Sequence, residues 1–136
     1  MLRTIFLSGL VSVALMAGQY TKADRVKDMQ KMAAAMNEIE TGFFYNNKDQ
    51  VIQGALKLSD TIRNVRPPLE EKEEKNPMMR YMNEKVKFSN KIVKTIDKKA
   101  ETIIERFQSG DTNQALQAYK KIMSSCMECH SKLRRW

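Results

Sequence analysis

The sequence predicts an all-α protein, an antiparallel four-helix bundle. Three observations carry that prediction. Apolar residues recur at steps of three and four along most of the chain beyond residue 24. Gly and Pro are scarce, 5 and 3 in 136 residues, too few for a many-turned β chain. Polar breaks cut the pattern into four segments, and four amphipathic helices with short links bury their stripes most simply against one another.

The first helix is expected to follow Asp24 as its N-cap, with an inner stripe of Met29, Met32, Met36, Ile39 and Phe43, flanked by Val26 and Ala33. The polar run Tyr45 to Asp49 suits a turn. A second helix is expected from about 49 to 64, with Val51, Ala55, Leu58 and Ile62 on its inner face and Ile52 and Ser59 beside them. Pro67 and Pro68 stop it, and Leu69 to Asn76 reads as a solvated, charge-rich connector. The third and longest helix is expected over about 78–108, its stripe running Met79, Met82, Val86, Ser89, Val93, Ile96, Ala100, Ile103, Phe107. Gly110 is its expected left-handed cap. The fourth helix is expected over about 112–134, with Ala115, Tyr119, Ile122, Met123, Cys126 and Leu133 on or near one face.

The start of the chain reads differently. Arg3 gives a positive end, Thr4 to Ala17 is apolar and uncharged, and polarity returns at Gln19. That is the pattern of a secretory signal peptide. The apolar run is shorter than the roughly 20 residues of a spanning helix, which disfavours an uncleaved anchor and stable membrane insertion. We therefore read 1–18 as a signal peptide, with cleavage falling between 17 and 23, and 19–136 as one domain. Export implies the periplasm, an oxidising space. The net charge of +8 becomes +7 without Arg3. The cations are spread along the helices with few aromatics between them, so nucleic acid is not an expected partner.

With two Cys and one His in the whole chain, His-rich metal sites and disulfide scaffolds are excluded. All three fall in one run, Cys126-Met127-Glu128-Cys129-His130. Cys-x-x-Cys-His is the attachment sequence for c-type haem. Two thiols two residues apart can add to the porphyrin vinyl groups as thioethers, and the next imidazole can bind iron from the proximal side. A thioredoxin-like dithiol would need a strand before its helix, and a zinc site would need a fourth soft ligand. A plain disulfide is the simplest competing reading. Burying a porphyrin among Ala33, Ala34, Ala35, Ala55, Ala100 and several Met would add much apolar area, so the chain without it is expected to be weakly folded.

The leader, the four helical segments and the stretch Cys126 to Arg134 (CMECHSKLR) resemble class II c-type cytochromes, the cytochrome c′ and cytochrome c-556 group. Class I cytochromes carry the motif near the N-terminus, whereas this group carries it in the last helix. Leu133 stands where the group often has an aromatic residue, and Arg134 keeps the group's Arg four residues after the His. The group also often has an Arg one turn before the residue that covers the distal haem face. Arg25 and Met29 match that pair. The resemblance implies a four-helix bundle with one covalent haem c, held by Cys126 and Cys129 and ligated by His130. It implies Met29 as sixth ligand, as in cytochrome c-556-like members; Met32, Met36 or no sixth ligand are the alternatives on the same stripe. It implies Arg25 near a haem propionate and Arg134 flanking the proximal pocket.

The expected function is non-enzymatic electron transfer through His/Met-ligated iron. Lys120, Lys121, Lys132, Arg134 and Arg135 would steer the protein to redox partners with acidic surfaces. The alternative is a five-coordinate haem that binds NO or CO. The resemblance also allows a homodimer.

Overall fold

The computed structural model describes residues 20–65, 76, 78–79 and 83–134. The expected signal peptide, Pro67 and Pro68, most of the connector, Met82 and Arg135 lie outside these residues. Among the described residues four helices have defined bounds, in order: α1 (Lys22–Phe44), α2 (Lys48–Asn64), α3 (Glu84–Gln108) and α4 (Thr112–Arg134). No strand occurs among the described residues. The all-α, four-helix prediction is met.

Each helix starts where a side chain takes over an orphan backbone amide. For α1 the cap is Thr21, not Asp24. Thr21 Oγ1 accepts from the Asp24 amide at 3.2 Å, and the Asp24 carboxylate accepts from the Thr21 amide at 2.9 Å. This reciprocal box puts Asp24 inside the first turn. The hydrogen bonds from the Thr21 side chain and backbone hold the Asp24 carboxyl below its ordinary range. The folded value is the lower one, so the box's contribution is present above the ordinary carboxylate range and fades as pH falls through the depressed value. Asn46, at φ 51°, makes the tight reversal after α1, and Asn47 caps α2 by accepting from the Gln50 amide. Gly110, at φ 82°, turns the chain between α3 and α4 as expected.

The third helix starts later than its apolar stripe suggests. Asn83 has an extended backbone and its side chain accepts from the Lys85 amide at 2.9 Å, so the regular helix begins at Glu84. Met79, placed on the stripe by sequence, is exposed.

Short links make α1 and α2 antiparallel, and likewise α3 and α4. Phe43 near the end of α1 meets Phe107 near the end of α3 at 5.5 Å between ring centroids, which aligns those two ends. The α2–α3 pair is therefore antiparallel as well, and Ser59 Oγ donates to Asp97 Oδ1 across it at 2.6 Å. Arg63 reaches back to Asp97 and to Glu101 at 3.0 and 2.9 Å. Arg63 and Glu101 are each more than half exposed, so these ion pairs set the register of the two helices more than they stabilise them.

The core is Met32, Ala35 and Ile39 of α1, Val51, Ala55, Leu58 and Ile62 of α2, Ile92, Ile96, Ala100, Ile103 and Phe107 of α3, and Ala115, Ala118, Tyr119 and Ile122 of α4. Ala33 and Ala34 were expected inside and are exposed. They follow the buried Met32 by one and two residues, and neighbours at that spacing point to different sides of a helix. Ser125 and Ile92, absent from the expected stripes, are buried.

Helices α1 and α2 pack backbone to backbone. A Cβ at Gly54 would stand 2.9 Å from the Ile39 nitrogen and 3.0 Å from the Ala35 carbonyl oxygen. Those atoms belong to a helical backbone and cannot turn aside. Gly54→Ala gains about 1 kcal/mol of helix propensity but forces the helices apart, at about 1–3 kcal/mol. The variant should be less stable, read as a lower urea midpoint at unchanged slope.

Candidate functional site

The last three turns of α4 carry the motif. Cys126 and Cys129 are half-buried and pack against the core. His130 is half-buried beside them. The three occupy positions i, i+3 and i+4, one face of a helix. The spacer residues Met127 and Glu128 point outward, Met127 with 51% of its surface exposed. The motif was legible in the sequence as a string; the helix turns it into a face.

That face looks toward α1. Tyr119 of α4 packs on Phe43 of α1 at 5.9 Å between ring centroids. His130 is eleven residues beyond Tyr119, about three turns, so it shares that side of α4. On α1 the matching step from Phe43 reaches Met32, and Met29 lies one turn further. Met32 is consumed by the core at 6% exposure, whereas Met29 and Met36 are half-buried against it. The motif and the methionines thus belong to the same end of the bundle.

The helix backbones are not equally close on every side of the bundle. Close backbone packing joins α1 to α2, α2 to α3 and α3 to α4, and none comparable joins α1 to α4. The α1–α4 side is the wider side of the bundle, and the aromatic contact of Phe43 with Tyr119 bridges it at the opposite end.

The electrostatics around the motif argue against a redox dithiol. Burial, with the neighbouring Cys129 adding to it, pushes the Cys126 thiol up to about 11. A reactive dithiol needs the reverse, a thiolate favoured at a helix N-terminus. Among the described residues no three His, Cys, Asp or Glu side chains converge as a metal cage would require.

Arg25 is half-buried one turn before Met29, and its Nε is buried with no acceptor among the described residues. Asp28, which the sequence reading passed over, is buried beside Met29; Tyr20 donates to it at 2.9 Å and Lys31 lies at 3.5 Å. Burial and then the Asp28 hydrogen bond push the Tyr20 phenol above its ordinary range. A buried carboxylate in an apolar-looking stripe leaves no signal in periodicity. Arg134 ends α4, and its side chain lies outside the described residues.

No protein-family model, no curated protein and no solved structure matches this chain.

Of the cations expected at the motif's rim, Lys120, Lys121 and Lys132 are exposed. Lys132 is partly engaged, 3.6 Å from Glu128 and 4.3 Å above the Phe88 ring. A groove of about 680 Å3 runs elsewhere, along Lys87, Lys91, Lys94 and Lys98 on the outer side of α3. It is a charged face lined by none of the motif residues, and we assign it no part in the site.

Among the described residues no helix is long and apolar enough to cross a membrane.

Proposed function

We propose that this chain is an exported, periplasmic monohaem c-type cytochrome of the class II kind, and that it carries electrons. The observation that supports it most is the placement of the chain's only two cysteines and only histidine. All three lie on one half-buried face of α4, on the wide side of the bundle, at the end where α1 offers Met29.

The residues fit such a group. Cys126 and Cys129 would each add S–H across a vinyl double bond, a step that needs no oxidant. His130 would take the proximal position and Met29 the distal one. The Arg25 guanidinium, with a buried Nε lacking an acceptor, suits a propionate. Arg106 Nε is in the same condition at the other end of the bundle, so the weight falls on Arg25's position beside Met29. When bound, haem supplies one-electron exchange at its iron. The protein's part is to bind, to keep water off the ring, and to set the potential through the soft Met29 sulfur. Exposed Lys120 and Lys121 would meet an acidic redox partner, with association slowing as salt rises.

The test is intact mass and optical spectrum of the exported chain made alongside a haem-attachment apparatus. The expected product is red, low-spin when ferric, and roughly 616 Da heavier than the mature polypeptide. A colourless product of bare polypeptide mass would overturn the reading. A high-spin ferric product that takes up CO rapidly would assign gas binding in place of electron transfer.

A further inference from the structure

We propose that the end of the bundle remote from the motif holds a second site, an aromatic cup for a small methylated ammonium ion such as choline. The cup lies between the end of α1 and the start of α4 and has a volume of about 400 Å3, at the small end of ligand pockets. Phe43, Phe44, Phe107 and Tyr119 line it; Leu116 and three neutral polar side chains complete the wall. Phe43 stands edge-to-face against both Phe107 and Tyr119, at interplanar angles of 73° and 71°, so the floor is fixed. Phe44 is 80% exposed and forms a rim that a ligand would cover.

One charged residue, Glu40, lines the cup among the described residues, and it makes no ion pair among them. Its field reaches the floor. After burial, the Glu40 charge is the cause that pushes the Tyr119 phenol upward. A carboxylate beside four aromatic side chains in a chain of net charge +8 is a local exception that selects for a cation.

The walls narrow the class of cation. A metal ion needs several oxygen ligands, and Glu40 is the one carboxylate on this wall. A primary ammonium needs an acceptor for each of its three donors, and most of this wall is aromatic or aliphatic. A methylated ammonium carries its charge under an apolar surface, and the negative faces of aromatic rings attract it. The carboxylate disfavours anions.

The site is independent of the haem reading, because it lies at the opposite end of the bundle. The test uses the full exported protein with whatever prosthetic group it carries. Choline and its neutral isostere, with carbon in place of nitrogen, are titrated while the ring resonances of Phe43, Phe44 and Tyr119 are followed by NMR. Choline should shift those resonances and bind about tenfold more tightly than the isostere. Glu40→Gln and Phe44→Ala, both at exposed positions, should each weaken choline binding several-fold. Equal binding of the two compounds would overturn the proposal and leave an apolar cup. Broadening of the Phe44 resonance with protein concentration, unaffected by choline, would overturn it in favour of contact between two copies.

Discussion

The chain carrying Cys126→Ala and Cys129→Ala should lose cooperative folding. The two thiols are the covalent anchor of the proposed haem. Without the anchor the wide α1–α4 side has nothing of a porphyrin's size to bury. Apolar burial is worth about 25 cal/mol per Å2, so a flat ring of that area outweighs any one side chain in the core. Helical far-ultraviolet circular dichroism should persist, because α1–α2 and α3–α4 pack closely on their own. Near-ultraviolet signal should fall, and a hydrophobic dye should bind, the behaviour of a loosely packed helical state. A sharp thermal transition at the wild-type midpoint would show that the bundle closes without the ring.

Met29→Ala should convert a low-spin ferric spectrum into a high-spin one and lower the reduction potential, because soft sulfur favours ferrous iron. The neighbouring methionines make the comparison sharp. Met32→Ala removes a side chain sealed in the core and should cost about 2–5 kcal/mol of stability, with the low-spin spectrum retained. Met36, half-buried one turn nearer the aromatic end, should change neither property strongly on conversion to Leu. A low-spin spectrum that survives Met29→Ala and disappears in Met32→Ala would move the sixth ligand by one turn.

Much of this architecture could be read from the chain. Steps of three and four placed Leu58, Ile62, Ile96 and Ile103 inside, and all are buried. Gly110 announced its own turn. Such features depend on local geometry, which a sequence encodes directly. Where reading failed, a partner several residues away decided the outcome. Asp24 looked like a cap because its relation to Thr21 emerges once the first turn has formed. Ala33 and Ala34 looked like lining because small apolar residues carry no mark of the side they take. The site divides along the same line. Cys126, Cys129 and His130 form a contiguous motif. The standing of Met29 against Met32 depends on how α1 faces α4, which is set by the Phe43 and Tyr119 rings at the far end. Asp28 could not be recognised at all, since burial of a carboxylate depends on Tyr20 lying over it.

The grip of Phe43 on Tyr119 has a mechanical consequence. Two rods held together near one tip swing most widely at the other, and a small rocking at those rings is magnified over the roughly 16 Å that separate Tyr119 from His130 along α4. A flat prosthetic group could thus slide in sideways, like a coin into a purse, without dismantling the remaining three seams.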